Sequence, residues 1–181
     1  MKKKILITGC SSGLGIFLAD KFKNEGHDVL QHLGKKHYDL SNISEVKKLA
    51  HEALEFKVEV LVNNAAIVCP NILLEEYEEN LIINMLDVNL RAPILLSYYL
   101  RQNLTDIINI NSMVGLEHKK NRTLYSATKW GLRGFSESLK LEHPKVNILD
   151  VYTTNIKTDP KRQNALEVDY VIENIYQAFK Q

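Results

Sequence analysis

The sequence contains little cysteine, and its thiols form no recognisable pattern. Cys10 and Cys69 are the only cysteines in 181 residues, and they lie far apart. Two such residues make neither a disulfide framework nor the closely spaced sets that bind zinc. Reduced thiols are typical of a reducing compartment, so this composition predicts a cytoplasmic protein.

The sequence also lacks an excess of charge of either sign. It has 23 basic and 22 acidic residues, a net charge of +1, and its basic residues are spread along the chain. Nucleic-acid-binding domains carry a basic patch, and membrane-surface helices carry a basic amphipathic face. Residues 5–7 are too short an apolar core for a signal peptide, and no long apolar run predicts a membrane span. We therefore expect neither nucleic acid nor a membrane as a partner.

Linkers, internal repeats and low-complexity segments are missing too, and the length suits one domain with a sizeable core. Strand-like and helix-like segments alternate. The predicted strands are 4–8, 28–33, 37–40, 59–65, 106–111 and 146–152, and the predicted helices are 13–26, 41–54, 75–103, 123–142 and 169–179. Ser41, with Ser44 and Glu45 behind it, is the predicted start of the second helix. Such alternation implies right-handed βαβ units around a parallel sheet.

The pattern therefore predicts a doubly wound Rossmann-type α/β fold. Its parallel sheet has about six strands in the order 3-2-1-4-5-6. The strands are almost continuously apolar, which indicates a sheet covered on both faces. One domain is expected over residues 1–181, without a separate substrate domain. Ligands of such folds bind beyond the carboxyl ends of the strands.

A glycine-rich segment, TGCSSGLG, follows the first predicted strand directly and opens the first helix. Glycines there let the chain turn tightly and let a pyrophosphate approach the backbone, while the helix N-terminus offers free N–H groups. A glycine turn without a ligand would look similar, but three glycines directly behind an N-terminal strand favour a dinucleotide. The candidate cofactor-binding residues are Gly9, Ser11, Ser12, Gly13, Leu14 and Gly15.

A tyrosine and a lysine four positions apart, Tyr125 and Lys129, fall on one face of a predicted helix. An ammonium near a phenol stabilises the phenolate and lowers the pKa of tyrosine from about 10. Such a tyrosine can give and take a proton near neutral pH. Ser112, at the end of the fifth predicted strand, can hold a substrate oxygen. Alone, the pair could arise by chance and Ser112 could cap a turn.

These motifs, taken in order, resemble those of the short-chain dehydrogenases/reductases over residues 4 to about 158. The glycine segment matches the pattern T-G-x-x-x-G-x-G of that family. The further matches are Asp39–Leu40, NNAA (63–66), DVNLRAP (87–93), NINSMVG (109–115) and YSATK (125–129). Ala66 stands where the family has the last glycine of N-N-A-G.

The resemblance implies catalytic roles for four residues. Tyr125 would be the general acid/base, Lys129 would bind ribose and tune the tyrosine, Ser112 would orient the carbonyl, and Asn89 would support a water-linked proton path. Taken alone, an asparagine such as Asn89 is more often a helix-surface or helix-kink residue. The further cofactor contacts that the resemblance implies are Asp39, Leu40, Asn64, Ala65, Ala66, Ile156 and Thr158. It also implies a homodimer or homotetramer assembled through helices 75–103 and 123–142.

The activity implied is hydride transfer between a nicotinamide cofactor and a carbonyl or alcohol substrate. The alternative is a nucleotide-sensing regulatory protein with little or no turnover. An acid at the end of the second strand would favour NAD, but the segment QHLGKKH (31–37) has none. Lys35 and Lys36 there suit a 2′-phosphate, so NADP(H) is favoured over NAD(H), unless they form only a solvated turn. His27, His32 and His37 are interpreted as surface or strand-edge residues, and no metal site is predicted.

Two departures from the family pattern concern the substrate side. Thr153 and Thr154 occupy the usual Pro-Gly positions, although Ile156 and Thr158 fit. Only residues 159–168 separate Thr158 from the final helix, where the family places a helical lid, and the chain ends at Gln181 without the family's seventh strand. We expect a shallow substrate pocket shaped by residues 69–74, 113–118 and 153–155.

Overall fold

The computed structural model describes residues 1–68, 71–158 and 165–181. Five strands form one parallel sheet in the order β2-β1-β3-β4-β5. They are β1 (Lys4–Ile7), β2 (Asp28–Gln31), β3 (Val60–Asn63), β4 (Asp106–Ser112) and β5 (Asn147–Thr153). The strand order reverses between β1 and β3, which places a ligand cleft at their carboxyl ends. The predicted α/β class with a doubly wound parallel sheet is confirmed.

Helices cover both faces of this sheet. They are α1 (Leu14–Asn24), α2 (Ile43–Phe56), α3 (Glu79–Leu86), α4 (Ala92–Leu100), α5 (Thr123–Glu142) and α6 (Val168–Phe179). Because side chains alternate along a strand, Ile5 and Ile7 pack under α1 and α6, whereas Leu6 packs under α2 and α4. Two short strands, β6 (Ile156–Lys157) and β7 (Leu166–Glu167), pair in parallel as a separate ribbon.

The predicted third strand, residues 37–40, is wrong. Gly34 has a φ of +84°, and its carbonyl accepts hydrogen bonds from the amides of His37 and Tyr38, which makes a turn. Asp39 Oδ1 then accepts from the amide (3.0 Å) and hydroxyl (2.7 Å) of Ser41. These local side-chain bonds compete with strand pairing. The sheet therefore has five strands, and the order of the other predicted strands stands.

The second helix begins one residue later than predicted. Asn42, not Ser41, is the N-cap of α2, and its side-chain oxygen accepts from the amide of Ser44 at 2.9 Å. This satisfies one of the amide groups that a helix leaves unpaired at its start.

The predicted helix 75–103 is a composite. A 3₁₀ turn at Leu74–Glu76 precedes α3, and a π-helical turn at Asp87–Arg91 joins α3 to α4. The run Glu79–Leu100 is 22 residues long and contains an 18-residue window with a mean hydropathy of 1.2, enough by length and composition for a membrane span. Its contacts are nevertheless those of a domain helix, because it packs against α2 and α5 and buries the polar Asn89.

Candidate nucleotide-binding and catalytic site

A cleft of about 680 Å³ opens at the carboxyl ends of the strands, where the fold predicts a ligand. The structure brings most of the predicted site residues to its wall. Those lining it are Gly9, Ser11, Ser12, Gly13, Leu14, Lys35, Asp39, Leu40, Asn64, Ala65, Ala66, Ser112, Tyr125, Lys129, Ile156 and Thr158. Gly15 and Asn89 do not line it. Cys69 and most of the interval 159–168 lie outside the described residues.

The glycine loop has the backbone geometry that a pyrophosphate requires. Gly13 has a φ of +60°, in the left-handed region that favours glycine. A Cβ at Gly9 would lie 2.8 Å from the Cα of Ala65, and one at Gly15 would overlap the carbonyl oxygen of Gly9. The N-terminus of α1 has no side-chain cap and no acid in its first turn. Its free N–H groups and positive dipole end therefore fit a dinucleotide phosphate.

Thr8 and Asn64 fasten this loop to the end of β3. The hydroxyl of Thr8 accepts from the amides of Asn64 and Ala65, both at 3.0 Å. In return, Asn64 Nδ2 donates to the carbonyls of Thr8 (2.8 Å) and Gly9 (3.2 Å). Asn64 therefore shapes the cofactor loop as well as lining the cleft.

The thiol of Cys10 lies inside the same loop. It is buried and donates to the carbonyl of Ile7 at 3.3 Å. Burial raises the pKa of Cys10 to about 12. The thiolate form is therefore suppressed at neutral pH, which makes this cysteine a packing residue.

His32 lines the cleft, and sequence reasoning missed it. It was interpreted as a surface or strand-edge residue, but it is only 2% exposed. Its Nδ1 accepts from the amide of Gly9 at 3.1 Å, so its Nε2 carries the proton and donates to the carbonyl of Tyr38 at 2.8 Å. Burial lowers the pKa of His32, which favours this neutral tautomer. Its position directly behind β2, the neighbour of β1, was the available signal.

The two predicted phosphate-binding lysines differ in position. Lys35 lines the cleft, is 78% exposed and forms an ion pair with Asp39 at 3.1 Å. Lys36 does not line it. Burial alone would raise the pKa of Asp39, but hydrogen bonds from Ser41 and the ammonium of Lys35 lower it, so Asp39 is a carboxylate.

Lys129 and Tyr125 meet as their four-residue spacing predicts. Lys129 Nζ lies 5.7 Å from the centre of the Tyr125 ring and donates to the carbonyl of Ile110 at 2.8 Å. Lys129 is 3% exposed, and burial lowers its pKa to about 8. A second cation, Arg122, lies 5.6 Å from the same ring. The tyrosine is thus flanked by two positive charges.

Ser112 ends β4 and lines the cleft beside this pair. Its hydroxyl accepts from the amide of Val114 at 3.5 Å, a long hydrogen bond that leaves the oxygen weakly held. Its own amide donates to Asn111 Oδ1 at 2.9 Å, which fixes the backbone there.

Asn89 lies behind the cleft wall, in the π-helical turn. Its Oδ1 accepts from the amide of Ile67 at 2.7 Å and its Nδ2 donates to the carbonyl of Ile67 at 2.9 Å. A longer contact, 3.4 Å, joins Nδ2 to the hydroxyl of Thr128, the neighbour of Lys129. These contacts position the segment after β3 against α5, and the proton-path role of Asn89 stays a prediction.

A buried polar network that the sequence did not reveal fixes α5 to the sheet. Asn63 donates to Asn109 at 2.8 Å, and Asn109 donates to Ser136 at 2.8 Å. Ser136 donates to Asp150 at 2.7 Å, and Lys140 pairs with the same carboxylate at 3.2 Å. Hydrogen bonds at fixed positions on two strands set the axial position of α5, which carries the tyrosine–lysine pair.

A doubly wound parallel sheet with an uncapped glycine loop at its switch point defines a dinucleotide-binding fold. The sequence profile of the short chain dehydrogenase family matches residues 31–168. The chain belongs to that family, and the resemblance predicted from its motifs is confirmed.

Two relatives show the extent of the similarity. The 3-oxoacyl-[acyl-carrier-protein] reductase FabG of Buchnera aphidicola is 27% identical over 164 residues, which cover 78% of this chain and 67% of that protein. Nodulation protein G of Rhizobium sp. (strain N33) is 34% identical over 171 residues, which cover 81% and 69%. The chain spans about two thirds of the length of the curated relatives it matches.

Solved structures share the fold. An alcohol dehydrogenase from the archaeon Thermococcus sibiricus, complexed with 5-hydroxy-NADP, superposes with a TM-score of 0.86 at 21% identity, covering 100% of this chain and 92% of that one. A short-chain dehydrogenase from Sphingobium yanoikuyae in complex with NADPH gives 0.85 at 21% identity, covering 98% and 84%.

Proposed function

We propose that this protein is an NADP(H)-dependent oxidoreductase that interconverts a carbonyl and an alcohol, with Tyr125 as the general acid/base. One observation carries the proposal: Tyr125, Lys129 and Ser112 line the same cleft as the glycine loop. The loop suits a dinucleotide, and the three side chains suit proton transfer to an oxygen that faces it.

The roles follow from the contacts. Tyr125 gives its proton to the carbonyl oxygen during reduction and takes it back during alcohol oxidation. Lys129 and Arg122, within about 6 Å of the ring, stabilise the phenolate that proton transfer leaves. Ser112, weakly held by its neighbours, is able to donate to the substrate oxygen as charge develops there. A bound nicotinamide supplies or accepts the hydride.

NADP(H) is the proposed cofactor because the adenosine end of the cleft carries Lys35 and no acid directly behind β2. Two similar solved structures contain NADPH and 5-hydroxy-NADP, which supports the proposal. Asp39 opposes NADP(H) binding, because its carboxylate already forms an ion pair with Lys35. Both residues are at the surface, so the pair is worth at most about 1 kcal/mol, and a phosphate with more charge competes with Asp39 effectively.

We further propose a homodimer or homotetramer in a cytoplasmic setting. Buried, reduced Cys10 supports the compartment. Exposed apolar side chains on α3, α4 and α5 support the assembly; they include Ile83, Leu86, Tyr98 and Trp130.

The activity is tested with Tyr125→Phe. Purified protein with NADPH and a panel of ketones and aldehydes is expected to oxidise NADPH, and the variant to lose about 10²–10⁴-fold in rate because the proton donor is gone. NADPH affinity, measured by fluorescence titration, is expected to stay within twofold. NADPH binding without turnover of any carbonyl or alcohol would reject the enzyme and favour the nucleotide-sensing alternative.

The cofactor preference is tested with Lys35→Gln. Loss of the ammonium is expected to weaken NADPH binding by roughly five- to tenfold, because a charge-assisted contact to the 2′-phosphate disappears. NADH affinity should hardly change. Lys36→Gln is the matched control, since Lys36 does not line the cleft. A wild-type preference for NADH would contradict the assignment.

A further inference from the structure

We infer that the substrate of this site carries an anionic group, a carboxylate or a phosphate, which Arg122 and Lys119 bind. The inference rests on the proposed function, because it concerns the substrate of the same cleft. It names a substrate class that the fold alone does not specify.

The position of the two cations separates them from the cofactor phosphates. Arg122 and Lys119 line the cleft from the segment between β4 and α5, whereas the glycine loop follows β1 and Lys35 follows β2. In the sheet order, β4 lies two strands from β1 and three from β2. At about 4.8 Å a strand, these distances are roughly 10 and 14 Å. The two cations therefore face the end of the cleft that holds Tyr125.

Arg122 is close to the reacting group. Its guanidinium carbon lies 5.6 Å from the centre of the Tyr125 ring, and the residue is half-buried. It is also the N-cap residue of α5, a helix of 20 residues whose positive dipole end is therefore at the same place. A planar guanidinium binds a carboxylate or phosphate with two parallel hydrogen bonds. A substrate whose carbonyl faces Tyr125 brings a nearby anionic group within its reach.

Lys119 is held beside the cleft by its neighbours. The ring of His118 stacks on Trp130 of α5, with centres 5.3 Å apart and planes 13° apart. The amide of Glu117 donates to the carbonyl of Met113 at 2.9 Å. The hydrogen bond closes a turn within the segment and the stacked rings dock the segment onto α5. Lys119, which lines the cleft, adds a second positive charge at this end.

Among the described lining residues, the charge at this end of the cleft has one sign. Among the lining residues that the structure describes, the basic ones are Lys35, Lys119, Arg122 and Lys129, and the acidic one is Asp39. Asp39 pairs with Lys35 at the far end. A cleft lined by one sign of charge raises the local concentration of ligands of the opposite sign.

Binding to the NADP⁺-loaded protein tests the inference without requiring turnover. The probes are two pairs: 4-oxopentanoate with its methyl ester, and hydroxyacetone phosphate with hydroxyacetone. Titration calorimetry is expected to give at least tenfold tighter binding of one anionic probe than of its neutral partner, and the pair that shows it identifies carboxylate or phosphate. The preference should weaken as salt is raised.

Three variants locate the anion. Lys119→Gln is expected to lose most of the anion preference while binding the neutral probe unchanged, because it leaves the surroundings of Tyr125 intact. Arg122→Gln is expected to lose most of the preference too, measured as the ratio of the anionic to the neutral probe's affinity, since Arg122 also lies against Tyr125. Lys120→Gln, an exposed neighbour that does not line the cleft, is the control and should match the wild type.

The inference is overturned if neutral and anionic probes bind equally, if no probe binds, or if the Arg122 and Lys119 variants both keep the preference. Its failure is distinguishable from that of the proposed function. Anion-selective binding without oxidation of NADPH by any carbonyl would retain Arg122 and Lys119 as an anion-binding site and reject the enzyme. Turnover of neutral ketones without anion preference would do the reverse.

Discussion

Lys129 is a cation held almost entirely out of water, and its ammonium donates to the backbone carbonyl of Ile110. Removing an ammonium from water disfavours its charged form, which is why its pKa falls from 10.5 to about 8. The unfolded chain binds the proton more tightly than the folded one between these values. Stability of the ligand-free protein therefore gains a contribution as the pH rises from about 8 to 10.5.

Lys129→Met removes this contribution. In urea unfolding of ligand-free protein, the wild type is expected to gain a few kcal/mol, at most about 3, relative to the variant as the pH rises across that window. The comparison cancels the titration of other groups. Identical pH slopes for the two proteins would show that Lys129 is solvated in the folded state.

Some of the residues of this site could be predicted from the sequence. Tyr125, Lys129 and Ser112 carry a motif whose spacing translates directly into one helical face and one strand end. His32 belongs to no motif. Its position directly behind β2 was the available signal, but its burial follows only once β2 is paired with β1. Arg122 was missed for the same reason, since its distance from Tyr125 depends on how the segment before α5 folds.

The glycine loop is rigid because three neighbouring side chains hydrogen-bond to it. Thr8 and Asn64 tie it to β3, and His32 ties it to the segment after β2. Loops of this kind bind phosphate through backbone amides, so their rigidity sets the cofactor affinity. His32 is the member of this set whose charge changes with pH.

His32→Leu tests that role. The variant leaves the amide of Gly9 and the carbonyl of Tyr38 without their partner, at a cost of about 1–2 kcal/mol. NADPH affinity by fluorescence titration is expected to fall roughly five- to thirtyfold, with kcat for any accepted substrate less affected. His37→Gln is the control, because His37 stacks on His32 from the solvent side.

Wild-type affinity is also expected to fall in acid, as the pH drops through the lowered pKa of His32. Protonated Nδ1 cannot accept from Gly9. The neighbouring imidazole of His37 adds to burial in lowering the pKa of His32. An NADPH affinity that is flat in acid, or equal losses in the two histidine variants, would contradict this assignment.

The whole molecule follows from alternating apolar segments, and most of it could be predicted. The spacing of apolar residues along the sequence predicts the order of strands and helices, and the long α5 was predicted with its observed bounds. The prediction of the third strand was wrong because Asp39 and Ser41 form local side-chain hydrogen bonds instead of pairing in the sheet. The network of Asn63, Asn109 and Asp150 was invisible, since it joins residues that only the folded sheet brings together.

The oligomeric state is a property of the whole molecule and is tested at the exposed face of α4. Tyr98 on α4 is 56% exposed, and the wild type is expected to sediment as a dimer or tetramer at micromolar concentration. Tyr98→Glu replaces the ring with a charge in the proposed interface and should weaken association at least tenfold. Lys47→Glu, on the exposed side of α2, is the control. A monomeric wild type would contradict the proposed interface.

The π-helical turn at Asp87–Arg91 has a consequence for how this chain tolerates insertions and deletions. A π turn holds one residue more than an α-helical turn, and each residue of an α-helix rotates it by about 100°. Deleting one residue there would restore a regular helix and swing Asn89 away from Ile67. The helix would survive such a deletion, while the link between the segment behind β3 and α5 would be cut. We therefore expect an insertion or deletion in this helical turn to disturb the position of Asn89 more than one in an exposed loop would.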